Sequence, residues 1–546
     1  MPFKHSIRFT ILLILFLFTI ACDSSPQKTG VKESAAPAAE AKVSEALPLA
    51  TTVEVTGGTI EGVVQDGILT YKGIPFAAPP VGDLRWKAPA PVEPWTGVKK
   101  TDAFCNACMQ APRAMGNTAP VSEDCLYLNV WTPAKKADEK IPVVYWIHGG
   151  GYSGGSTSTP MYDGTGFAKK GVVFVSVAYR LGPFGFLADP ELSKESGHGS
   201  GTYGMLDMIA GLKWVKDNIS KFGGDPSKVT IFGHSAGGGA VSILAASPLT
   251  KGLFDGVICM SGGSFTPLKT SKQSGMGMGI PSLKFAESTG EEFLKELGVA
   301  DIKAARALSA EDIQNKLPGG MGGMRFSPAA DGYVISNDLY TLYQEGKFND
   351  TPVLLGNTSD EMGAFGGAKN VTPAEFEKQV REQYGPQADA ILGVYPHSTD
   401  AEATRSSKEI RNGASSWNTW TWSRLQTEKG KNRAYQYYFD YHPDSPDRGS
   451  GHGSDVPYAF QTLGGGPTGA PKEADLKLAD MISSYWVNFA KSGDPNNPAL
   501  PERPFFKIDN QEVMEFSAAP GARPVPNLDR LKVFDAYFAW LREQKK

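Results

Sequence analysis

Cysteine is scarce: five in 546 residues are too few to staple a small scaffold, although one bridge remains open. Neither charge dominates. The 54 Lys and Arg against 58 Asp and Glu leave a formal charge of -4, so the chain has no overall attraction for phosphate polymers and nucleic acid is not an expected partner. The Phe9–Ala21 apolar run is too short to span a bilayer comfortably, and a composition near soluble averages excludes a multi-spanning membrane chain. No repeat of solenoid length occurs past residue 51, and no cluster of metal-ligand spacing or phosphate-binding glycine loop appears, so no cofactor is implied. What is present is a globular composition, 41% hydrophobic and 21% charged, rich in Gly and Pro; most of the chain folds, around many tight turns.

The first fifty residues stand apart. Lys4 and Arg8 precede the Phe9–Ala21 run, so residues 1–22 read as an export signal. The run closes on Thr19-Ile20-Ala21-Cys22, which resembles a bacterial lipoprotein box with Thr19 where Leu is usual. Lipidation of Cys22 is the expectation, with plain signal cleavage as the alternative. Residues 23–50 are Ala, Pro, Glu, Lys and Ser with almost no aromatics. Such a segment cannot offset its ordering entropy and reads as a disordered tether, so the protein is expected to be exported and attached to a membrane through its lipid, or else periplasmic or secreted.

Residues 51–546 read as one folded unit, because no second polar linker interrupts them. Apolar runs at 140–147, 172–179, 228–232, 352–356 and 433–440 predict strands buried on both faces. Between the second and third, Met205, Ile209, Leu212, Val215 and Ile219 fall at helical spacing. The alternation predicts an α/β fold, a mostly parallel sheet flanked by helices and carrying large helical insertions, with function at the carboxyl ends of its strands.

Those strand ends carry chemistry. The third strand runs into Gly233-His234-Ser235-Ala236-Gly237, a G-x-S-x-G sequence between a strand and a small-residue helix, where a sharp turn lifts a serine hydroxyl above a sheet. Outside that setting a structural turn serine would be the reading. A serine needs a base. Of seven histidines, chain order leaves His397, His442 and His452; His452 is favoured because glycines flank it, whereas His442 is confined before Pro443. For the acid that orients the imidazole, the loop after the 352–356 strand offers Asp360 and Glu361 side by side, and the residues alone do not separate them. The first strand ends in His148-Gly149-Gly150-Gly151, whose backbone N–H groups, with that of Ala236 after the serine, form a candidate oxyanion hole.

With these residues in place the chain resembles the type-B carboxylesterase family, which includes para-nitrobenzyl esterases and cholinesterases, over roughly Val53–Trp540. Tyr71–Ala77 with Leu84–Trp86, Ser122–Val130, Asn218–Pro226 and Trp486–Ala490 carry the likeness alongside the motifs above. The resemblance implies Ser235 as nucleophile, Glu361 over Asp360 as acid and His452 as base, with oxyanion amides at Gly150, Gly151 and Ala236. It also implies a disulfide between Cys108 and Cys125, with Cys105 left over, and ion pairs of Arg85 with Glu123 and Arg180 with Asp207; Cys259, on an apolar run, reads by itself as a buried free thiol. The expected activity is hydrolysis of small neutral carboxylic esters through an acyl-enzyme; amide or lactone hydrolysis by the same residues, or the adhesive role of relatives lacking the nucleophile, are the alternatives. Cholinesterases hold a quaternary ammonium on a Trp inside the loop of the first disulfide, but here Met109–Asp124 has no aromatic residue. The elbow position before the serine, commonly Glu in the family, is His234. Both departures weaken attraction for a cation. For Trp417, Trp420 and Trp422 the expectation is helix core.

Overall fold

The computed structural model describes residues 50–544 except 113, 118, 272–278, 318–323, 364–369, 444–448 and 465–469. The expected signal segment, Cys22 and all but the last residue of the expected tether lie outside the described residues. Among the described residues no helix is long and apolar enough to cross a membrane.

Eleven strands form the central sheet: β1 (Val63–Gln65), β2 (Ile68–Pro75), β3 (Tyr127–Thr132), β4 (Ile141–Ile147), β5 (Val173–Val177), β6 (Gly224–His234), β7 (Gly256–Met260), β8 (Val353–Thr358), β9 (Ala434–Phe439), β10 (Glu512–Phe516) and β11 (Gly521–Pro524). Their spatial order is β11-β10-β9-β8-β7-β6-β4-β5-β3-β2-β1. From β5 through β4 and β6 to β10 every pairing is parallel, and the pairings beyond, at both edges, are antiparallel.

Strand side chains alternate between faces, and both faces are buried. Val143, Tyr145 and Ile147 of β4 enter one core with Val257 and Cys259 of β7. Val144 and Trp146 enter the other with Phe232 and Ile258. Helices α1 (Tyr203–Asn218), α2 (Ala236–Ala246), α3 (Asp400–Lys429) and α5 (Leu528–Glu543) contribute to the first core; α4 (Glu473–Ser492) covers the second with Ile482, Trp486 and Phe489. Helix α2 is apolar or small all round and wholly buried, as a helix without a polar face must be. Trp417, Trp420 and Trp422 are core residues of α3, as expected.

The expected strands are all present. The largest difference is β6, which starts at Gly224 rather than Lys228: a bulge between Gly224 and Val229 lets the turn-like Asp225-Pro226-Ser227 remain within the strand. Helix α1 ends at Asn218 and tightens into a 3₁₀ turn over Ile219–Phe222, so its periodicity continues past its α-helical end.

Parallel pairing puts the carboxyl ends of β4, β6, β7, β8 and β9 on one edge of the sheet. The register continues past the strands: Ser235 donates its N–H to Met260 O (2.9 Å), Ser261 to Gly356 O (2.8 Å) and Ser359 to Phe439 O (2.9 Å). Loops far apart in sequence therefore meet above that edge.

Candidate active site

Ser235 sits between β6 and α2 with φ 58° and ψ -120°, a conformation costly for a residue with a side chain and held by what surrounds it. Gly237 permits the turn: a Cβ there would lie 2.1 Å from Ile147 O. The loop after β4 approaches from the other side. Gly150 and Gly151 have φ of 117° and 63°, and Gly150 O accepts the N–H groups of Ser153 (3.1 Å) and Gly154 (3.0 Å). Among the described residues, no hydrogen bond uses the N–H of Gly150, Gly151 or Ala236, the last being a first-turn donor of α2 with no partner inside the helix. Three free donors thus flank the serine turn. The Met324 side chain lies against Gly151 and walls one side.

Glu361 is almost fully buried, and both its oxygens are engaged. Oε2 pairs with His452 Nδ1, while Oε1 accepts Ser261 Oγ–H (2.6 Å) and the Thr358 N–H (2.7 Å). Burial opposes its ionisation, but the facing His452 and the bonds from Ser261 and Thr358 win and hold the carboxyl below its ordinary range. His452 shows the reciprocal balance: burial favours the neutral ring, the Glu361 charge outweighs it, and its pKa is raised. The His452 ring lies 4.7 Å from that of His234, the residue before Ser235, so it stands over the elbow.

Asp360 faces elsewhere. Its carboxylate meets Lys408 Nζ at 2.5 Å and accepts Asn412 Nδ2 at 3.1 Å, both from α3, while Asn412 Oδ1 accepts the Met362 N–H (2.8 Å). Its backbone bridges to the loop carrying His452: Asp360 N–H donates to Ser450 O (2.8 Å) and Ser450 N–H to Ser359 Oγ (2.8 Å). Acid loop and base loop are thereby fastened together and to α3. His442 instead makes a surface contact with Asp440 (3.1 Å), and His397 turns its Nδ1 to Tyr395 O.

Three participants were not singled out from the sequence. Ser261 reaches Glu361 through the β7-β8 register, and Thr358 through the tight turn that follows β8. The third is Asp455, three residues past His452, fully buried with Oδ2 accepting Tyr437 O–H (2.7 Å); burial, reinforced by Glu361, pushes its carboxyl up to about 7. Its place in the Asp455-Val456-Pro457-Tyr458 stretch was the available hint.

Cys108 and Cys125 form a disulfide, Cys105 is a half-buried free thiol and Cys259 a buried one. Arg85 with Glu123 (2.6 Å) and Arg180 with Asp207 (2.7 Å) are paired and nearly buried; removing one partner would leave an uncompensated charge costing about 3–5 kcal/mol. Among the described residues no group of three or more His, Cys, Asp or Glu could hold a metal ion.

A serine on a strained strand-to-helix turn, with an acid and a histidine from the next strand ends of a largely parallel sheet, defines an α/β-hydrolase. The Carboxylesterase family profile matches residues 49–530, and the chain belongs to that family of carboxylic ester hydrolases. It is 38% identical to the fumonisin B1 esterase of Sphingopyxis macrogoltabida, across 85% of this chain and 86% of that protein. With the para-nitrobenzyl esterase of Bacillus subtilis it shares 33% identity, over 81% and 90%. Among solved structures, a para-nitrobenzyl esterase superposes with a TM-score of 0.76 at 30% identity, covering 89% of this chain and 99% of that one. A Geobacillus stearothermophilus carboxylesterase gives 0.75 at 30% identity, over 88% and 99%.

Proposed function

We propose that this carboxylesterase cleaves neutral esters through an acyl-enzyme made on Ser235. The observation that carries the reading is the buried Glu361–His452 pair standing over the elbow that presents Ser235. His452 takes the serine proton as Oγ attacks the ester carbonyl, and Glu361 steadies the imidazolium. The N–H groups of Gly150, Gly151 and Ala236 hold the tetrahedral oxyanion, His452 then protonates the departing alcohol, and a second cycle with water releases the acid. Relatives named for a fumonisin and a para-nitrobenzyl ester support ester over amide or lactone as substrate. A panel of all three classes on purified protein tests this: esters turned over fastest, with fluorophosphonate labelling at Ser235, is the expected result, and no labelling would sink it.

Neutral substrates are favoured because the two features that would welcome a cation are missing. Residues 109–124 contain no aromatic ring, and the elbow carries His234, which burial and then the neighbouring His452 keep uncharged down to about pH 3. A desolvated cation–π contact contributes about 2 kcal/mol, near thirtyfold in binding. Butyrylcholine should therefore show a kcat/KM no higher than its uncharged 3,3-dimethylbutyl isostere; a preference of about tenfold for the charged ester would mean another aromatic cage exists.

The same proposal includes export and lipid attachment. Mass spectrometry of the N-terminal peptide from the native host should find mature protein beginning at a diacylglyceryl-modified Cys22. An unmodified N-terminus elsewhere would leave a simple secretory signal and a protein with no lipid anchor.

A further inference from the structure

His234 is only 8% exposed, and its place between the catalytic loops is unusually constrained. A Cβ on Gly149 would come within 3.3 Å of its Nδ1, and one on Gly453 within 3.1 Å of its Cε1, so the ring fills the gap between the glycine loop after β4 and the base loop. Its plane tilts 37° from that of His452 at 4.7 Å, and its Nε2 is buried without a hydrogen-bond partner among the described residues. An imidazole that bonds to nothing through that atom is held by shape.

Resting on the catalytic reading above, we propose that His234 is a positioning residue for the base: a flat wedge that sets the tilt of the His452 ring over Ser235. The groups that face this pair are Glu361 on the acid loop and Asp455 on the base loop. Farther off, His148 stacks on Tyr179 and is held uncharged by burial down to about pH 4, and the buried thiol of Cys259 stays protonated. His234 therefore adds no charge of its own where His452 titrates. A carboxylate in its place would stabilise the imidazolium directly.

The test measures kcat and KM for p-nitrophenyl butyrate from about pH 5 to 9 on the wild type and on His234→Phe, His234→Gln and His234→Glu. Phe keeps a flat neutral ring and should hold kcat within about threefold of wild type, with the acid-side midpoint of kcat/KM unmoved. Gln is neutral but gives no ring to rest on, and should lower kcat by about tenfold at nearly constant KM. Glu should move the acid-side midpoint up by about one pH unit, because a charge at this range favours the protonated base. The proposal is overturned if Phe loses as much kcat as Gln, or if Glu leaves the midpoint in place; should the Glu variant not fold, the Phe and Gln pair decides. A wild type that neither turns over esters nor takes a fluorophosphonate would refute the catalytic reading instead, whereas an active wild type with an unresponsive series refutes only the wedge.

Discussion

Replacing Ser235 by alanine is expected to lower kcat by about four orders of magnitude while leaving the fold intact. The side chain contributes little to packing: Ser235 is part-exposed at the elbow, and its backbone bonds to Met260 O and Gly239 N–H do not involve the hydroxyl. The residual rate would come from substrate binding and the N–H groups of Gly150, Gly151 and Ala236, which the substitution does not touch. Circular dichroism and thermal melting close to wild type, together with the kinetic loss, would assign the nucleophile. Near-normal turnover would remove it from the mechanism.

Replacing the base should be comparably damaging. His452→Ala removes the proton acceptor and leaves Glu361 buried with one oxygen unpaired, so a fall in kcat of about four orders of magnitude should come with some loss of stability. His442→Ala breaks only a partly exposed contact with Asp440 and should stay within about tenfold of wild type. Rates on the two purified variants separate the candidates, and the reverse pattern would reassign the base to His442.

The site was unevenly legible in the sequence. The serine turn could be read because its chemistry is local: the glycines, the strand before and the helix after all lie within a few residues of Ser235. The acid could not be read from its neighbours, since Asp360 and Glu361 are adjacent carboxylates in the same loop. What separates them lies elsewhere in the chain, Lys408 and Asn412 for Asp360, and Ser261 and His452 for Glu361. Only resemblance to a family selected Glu361. The same limit explains Ser261, whose partner Glu361 follows the neighbouring strand, and a sheet's register is not written in any one strand. The bulged start of β6 was missed because Asp225-Pro226-Ser227 has turn chemistry, and the paired Gly224 ahead of it is held by β4.

The stitching of Asp360 and Ser359 to Ser450, and of Asp360 to α3, bears on when the dyad is organised. Glu361 and His452 come from loops some ninety residues apart, yet the bonds that hold them in line are made between parts of this chain alone. A pair held in that way should have no separate, softer step at which its alignment is lost. On heating, esterase activity and the tertiary signal of the aromatic cores should disappear together, in one transition and not in two.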